Sequence, residues 1–255
     1  MPGVITRKTP AEIQILREGG RILAYVLRAL SRKAKPGVTL RELNEVAGRM
    51  LREKGAEPSF RGYTPQPGLK SFPGAICTSL NSTVVHGIPK AKSLARGDVL
   101  SLDLGVRYKN LFTDAAVTLG VGELSPESRH LVEAARRALE AGIRQARIGN
   151  TTGDIGWAIE RTAKRAGCAV IRELVGHGLG YAVHEPPYVP NFGSPKTGVK
   201  LMAGMVIAIE PMLSAGSGAV EMLADGSFVT KDRAPAAHFE HTVAITKRGP
   251  IILTK

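Results

Sequence analysis

Apolar positions recur every three or four residues through TPAEIQILREGGRILAYVLRALSRKA. They place Ile13, Leu16, Leu23, Leu27, Leu30 and Ala34 on one stripe and predict a long amphipathic helix. A second helix is predicted from Thr39, whose hydroxyl and Glu42 three residues later form a capping box, to near Gly55. The plan then returns. Ser125-Pro126 starts a helix through Leu131, Ala135, Ala138 and Gly142, and Thr151 with Asp154 opens another that closes near Gly167. Gly37, Thr39, Leu43 and Gly55 recur as Gly149, Thr151, Ile155 and Gly167 at one constant offset.

The strand-like segments echo each other too. LARGDVLSLD (94–103) aligns without gaps on LMAGMVIAIE (201–210): a turn glycine, then a β-rich apolar run ending in a carboxylate. TDAAV (113–117) aligns on FEHTV (239–243), again with the acid in register. The expectation is an α+β chain, one domain over residues 1–255 with an internal repeat at about 9–120 and 125–248. Its two sheets would be buried together beneath the helices.

Composition adds boundaries rather than identity. With 255 residues and 43% hydrophobic content the chain can bury a full core. Cys77 and Cys168 lie far apart in no metal or redox spacing, which predicts a reducing, cytoplasmic setting. No apolar run approaches a membrane span and MPGVITRKTPAEI has no signal-peptide character, so a soluble intracellular protein, with no membrane partner, is expected.

The net charge is +13. Arg136, Arg137, Arg144, Arg147, Arg161, Lys164 and Arg165 fall at helical spacings opposite the apolar positions, without interleaved aromatics that could stack bases. The excess therefore reads first as a solvated exterior and not as a specific nucleic-acid site. Contact with a polyanion such as the ribosome surface is the alternative.

Chemistry enters with the acids. Asp103 and Asp114 interrupt apolar runs in VLSLDLGVRYKNLFTDAAVTLG, which reads as two strands around a turn. A turn centred on Tyr108-Lys109 would set the aspartates directly opposite each other, where like charges destabilise a sheet. Burial makes an unpaired charge costlier still. Glu210 ends MVIAI, ahead of Pro211, and Glu240 precedes an apolar run, so four acids at matched points would converge between the halves. A divalent cation removes the repulsion, and four carboxylates suit two cations about 3.5–4 Å apart.

Histidines complete the pattern. ELVGHGLGYAVHEPP (173–187) sets His177 and His184 on a chain of glycines and prolines that suits neither helix nor regular strand. Such a bend lets His177, between Gly176 and Gly178, enter the acid cluster as a ligand. His184 would then face the same cavity as a hydrogen-bond donor to a reacting oxygen. His86, in STVVHGIPK, lies at a strand end. His130 and His238 are assigned ordinary structural roles, and so is His241, on the strand face opposite Glu240.

These motifs in order, VVHGIP, SLDLG, FTDAA, GHGLG, VHEPP, AIEPM and HFEHT, resemble the type I methionine aminopeptidases of the pita-bread fold. The resemblance implies two pseudo-symmetric halves with the active site between them. It implies Asp103, Asp114, His177, Glu210 and Glu240 as ligands of two divalent metals (Co, Mn, Fe or Zn), with Asp114 and Glu240 bridging. His86 and His184 would contact substrate, and Glu210 would also shuttle a proton. The implied activity is removal of the initiator methionine from nascent polypeptides, favouring a small second residue, by attack of a dimetal-activated water.

Phe60, Tyr63 and Cys77 would line the methionine pocket in a monomer. Against the common pattern stand Val183 before His184, Ser227 with Phe228 where a pocket tryptophan is frequent, and a long TPQPGLKSFPGAI loop. A prolidase, with the same fold and ligands, and an inactive binding protein on this fold are the competing readings.

Overall fold

A computed structural model describes residues 4–64 and 70–255. Residues 1–3 and the centre of the 64–76 loop, 65–69, fall outside it.

Four helices form where the periodicity places them: α1 (Pro10–Lys33), α2 (Leu40–Glu53), α3 (Pro126–Gln145) and α4 (Thr152–Arg165). Side chains cap each start. Thr39 with Glu42 and Thr151 with Asp154 close full capping boxes, as does Thr9 with Glu12, and each supplies acceptors for backbone N–H groups that a helix start leaves bare.

The halves match in backbone detail. Gly37 and Gly149 share left-handed φ values of 90° and 92°, and Gly97 and Gly204 share 93° and 89°. Before α2, Thr39 bridges to Ser93; before α4, Thr151 bridges to Lys200. Each half has its own apolar core. Leu23, Leu30, Leu43, Leu51, Leu100 and Leu102 belong to the first, and Leu131, Ile155, Ile159, Ile207, Ile209 and Val243 to the second. Val117 packs against both.

In the first half, strand Val99–Tyr108 pairs with Cys77–Leu80 and along its whole length with Leu111–Gly120. In the second, a five-stranded sheet runs in the order Gly249–Ile252, His241–Thr246, Val206–Ile209, Gly176–Gly178, Glu185–Val189. The hairpin register corrects the sequence expectation. The turn falls on Lys109-Asn110, both at positive φ (47° and 63°), so Asp103 pairs with Ala116 and Asp114 with Gly105. The two aspartates are therefore diagonal neighbours on one face and not directly opposed. A two-residue hairpin turn of this hand needs left-handed backbone at both positions, which asparagine tolerates well, and that selects the register.

The sheets meet along the Leu111–Gly120 strand. Ala116 and Glu240 exchange both backbone hydrogen bonds, at 3.4 and 3.0 Å. Thr242 Oγ1 accepts from Asp114 N and donates to Asp114 O. Thr118 Oγ1 accepts from His238 N and donates to His238 O. This seam aligns the acids of one half with those of the other.

Three of the seven cations named for the basic face, Arg136, Arg137 and Lys164, pair with acids. Arg136 and Arg137 reach Glu133, Arg136 also reaches Glu140, and Lys164 and Arg172 share Glu160. These pairings fit a solvated exterior. No helix among the described residues is long and apolar enough to cross a membrane.

Candidate metal centre

Asp103 and Asp114 reach the seam from the first-half hairpin, Glu210 from the end of Val206–Ile209 and Glu240 from just before His241–Thr246. Asp103, Asp114 and Glu240 are each at most 7% exposed. One oxygen of each, Asp103 Oδ1, Asp114 Oδ1 and Glu240 Oε1, is buried without a hydrogen-bond partner. Glu210 is anchored through its backbone oxygen, which accepts from the buried Asn191 Nδ2 at 3.0 Å.

Burial dominates the electrostatics. It lifts Asp103 to about 6, with Glu210 adding to the rise and His238 opposing it, and lifts Glu210 to about 7. Burial also drives Asp114 and Glu240 well above the usual carboxylate range, helped for Asp114 first by Asp103 and for Glu240 first by Asp114. Acids crowded and dried in this way repel one another, and only a proton or a cation relieves them.

The glycine-rich stretch answers to backbone crowding. Gly176–Gly178 pairs with Glu185–Val189 on one side and Val206–Ile209 on the other, with a register shift between His177 and Gly178. A Cβ on Gly176 would strike the Ala208 carbonyl oxygen, and one on Gly178 the Pro186 carbonyl oxygen. The chain reverses over 179–184 and brings the His177 and His184 rings to 4.3 Å between centroids, in edge contact. His177 Nδ1 lies 2.9 Å from Gly178 O, which assigns the proton to Nδ1 and leaves Nε2 a bare acceptor, 3.4 Å from Glu210 Oε1.

His184 is held at Nδ1 by the Tyr63 hydroxyl at 2.7 Å, and desolvation followed by the neighbouring His177 and His86 rings lowers its pKa. His86 follows strand Thr83–Val85 with φ of 59°, and burial, then His238, lowers its pKa.

Among the described residues, two groups of side chains present ligand atoms within 4.8 Å of one another: Asp114, His177 and Glu240, and Glu210, His238 and Glu240. Glu240 is common to both. Asp103 belongs to neither group but is electrostatically linked to Asp114 and Glu210. The structure corrects the place given to His238. Rather than an ordinary core residue, it is a ring 1% exposed, with Nε2 3.6 Å from Glu210 Oε2 and 3.9 Å from Glu240 Oε2. Only a long-range pairing puts it there, His238 opposite Met212, and no local pattern announces that. His130 and His241 stay outside: His130 Nε2 contacts Ala166 O, and His241 Nδ1 the Thr254 hydroxyl.

The donor set fits divalent cations. It offers orphaned carboxylate oxygens and an imidazole nitrogen oriented by a backbone carbonyl, which is the usual outer support of a metal-binding histidine.

Beside the acids, Phe60, Cys77 and Val183 form a small apolar cluster with Tyr63, Phe72 and Phe112 packed on it. Phe60, Tyr63 and Cys77 thus come together as expected, while Phe72 and Phe112 were not singled out by sequence. Phe228, and not Ser227, meets the His86 ring, 5.9 Å between centroids.

The profile of metallopeptidase family M24 matches residues 14–247. The chain is 42% identical to methionine aminopeptidase 1 of Bacillus subtilis over 253 residues, covering 99% of this chain and 100% of that one. A crystal structure of methionine aminopeptidase from Thermotoga maritima superposes with a TM-score of 0.95 at 40% identity, covering 99% and 100% of the two chains. Prolidase from Pyrococcus furiosus shares the fold alone, with a TM-score of 0.77 at 24% identity; this chain covers 65% of its length.

Proposed function

The chain belongs to metallopeptidase family M24 and, within it, to the type I methionine aminopeptidases, and on that premise we propose that Asp103, Asp114, His177, Glu210 and Glu240 hold two divalent metal ions with which it removes the initiator methionine from nascent polypeptides. One observation carries the site assignment: buried carboxylate oxygens from both halves converge without hydrogen-bond partners. Glu240, common to both ligand groups, and Asp114 would serve both metals. Co, Mn, Fe and Zn all suit carboxylates with an imidazole.

When bound, the metals supply Lewis acidity and lower the pKa of a water towards ~7. The residues do the rest. Glu210 would take up the proton given up by the attacking water and deliver it to the leaving amine. The Tyr63 hydroxyl donates to His184 Nδ1, which fixes the proton on Nε2, and Nε2–H then donates to the carbonyl oxygen as charge develops there. His86 steadies the scissile amide. The cluster of Phe60, Cys77 and Val183, with Tyr63 and Phe72 at its edge, receives the unbranched methionine side chain. A small second residue is favoured in this reading.

Purified protein supplied with Co²⁺ or Mn²⁺ should cleave Met-Gly-Met-Met and spare the same peptide with a bulky second residue. Hydrolysis of Xaa-Pro peptides with no action on Met-Ala-Ser would overturn the assignment.

A further inference from the structure

His238 ends the strand Ala236–His238, and its main chain is fixed by Thr118, whose hydroxyl accepts from His238 N at 2.8 Å and donates to His238 O at 2.6 Å. The backbone therefore directs the ring at the acids. Its side chain is 2% exposed, and neither ring nitrogen has a hydrogen-bond partner among the described residues. A buried polar ring left bare in this way is costly.

The distances say what it lacks. At 3.6 Å from Glu210 Oε2 and 3.9 Å from Glu240 Oε2, Nε2 is beyond hydrogen-bonding range of both. Ligand atoms held 2.0–2.2 Å from one cation stand about 3.0–3.5 Å apart along a coordination edge. The His177 Nε2 to Glu210 Oε1 separation of 3.4 Å falls in that range, and the His238 distances lie a few tenths of an ångström above it. These atoms are too far apart to bond each other and close enough to share an ion.

We propose that His238 is a sixth protein ligand, binding through Nε2 the cation held by Glu210 and Glu240. The inference rests on the dinuclear reading above and adds to it a nitrogen donor outside the five-residue set. His238 lacks the backbone acceptor that supports His177, so it is the weaker of the two nitrogen donors. A second imidazole also tilts the centre towards Co²⁺, Fe²⁺ or Zn²⁺ and away from Mn²⁺, which prefers oxygen.

Proton NMR of the Co²⁺-loaded protein tests this without reference to activity. Contact shifts pass through bonds, so each ligating ring gives one strongly shifted N–H signal and an uncoordinated ring gives none. The wild type should show two such signals, and His238→Gln one. In calorimetric titration the same variant should weaken one of two Co²⁺ binding steps about 10- to 100-fold, with a smaller loss for Mn²⁺.

A single shifted N–H in the wild type, or two that persist in His238→Gln, overturns the proposal even if affinity falls. Should His238→Gln fail to fold, selective ¹⁵N-histidine labelling of the wild type decides the count alone. Failure to take up Co²⁺ would remove the dinuclear reading and this inference together. Two bound Co²⁺ with one shifted imidazole would remove only the inference.

Discussion

Ala116 and Glu240 exchange both backbone hydrogen bonds across the seam between the two halves, so the acid that opens one strand is registered against the aspartate hairpin of the other half. Separation by sequence is thereby converted into proximity at the site. The seam is reinforced by side chains that have no substitute.

Thr242 is one of them. Its hydroxyl accepts from Asp114 N at 2.9 Å and donates to Asp114 O at 2.7 Å, fully buried. Thr242→Val preserves shape and strands both backbone groups, which should cost about 1–3 kcal/mol. Urea denaturation of the metal-free protein measures this, and a midpoint equal to wild type would show that the seam tolerates the loss. Metal affinity should fall alongside, because Asp114 loses its anchor.

Gly178 allows the approach of Pro186. Gly178→Ala would push its Cβ into the Pro186 carbonyl oxygen and displace His177. Overpacking of this kind costs about 1–3 kcal/mol. The expected outcome is weaker metal binding in calorimetric titration together with a lower melting temperature. Unchanged affinity would mean that the glycines serve some other purpose.

Lys8 and Glu185 form a buried ion pair at 2.7 Å, with side chains 1% and 7% exposed. Glu185 Oε1 also accepts from the Tyr181 and Ala182 amides, and so braces the turn that carries His184. Removing one partner of a buried pair costs about 3–5 kcal/mol. Lys8→Met should therefore lower stability by that order, and hydrogen exchange at Tyr181 and Ala182 should speed up. Wild-type protection at both amides would contradict the brace.

The site carboxylates set a pH dependence in the metal-free protein. Asp103 rises from 3.8 to about 6 and Glu210 from 4.5 to about 7, so the folded state holds these protons more tightly than the unfolded chain. Their contribution is present in full below the unfolded values and is lost as pH climbs through the folded ones. Metal-free protein should lose stability between about pH 4 and 7, and metal should restore it with release of protons. Melting curves across that range, with and without Mn²⁺, check the sign. A metal-free protein that becomes more stable over the same interval would contradict it.

Sequence carried the helices almost to the residue, because a capping threonine with an acid three positions on is a local signal. It carried the acids because a charge ending an apolar run is conspicuous in one dimension. It missed what depends on two distant segments meeting. The hairpin register turned on whether Lys109-Asn110 or Tyr108-Lys109 formed the turn, a shift of one residue. His238 lies in a short strand whose direction is set by Met212 and Thr118. Phe72 and Phe112 come from different segments, and only packing brings them to Cys77.

Metal stoichiometry is the most direct test of the central claim. Titration of Co²⁺ into the metal-free protein, followed by calorimetry and elemental analysis, should give two ions per chain, with Glu240→Gln disturbing both sites at once. No uptake, or two-ion binding that survives Glu240→Gln unchanged, would contradict the account.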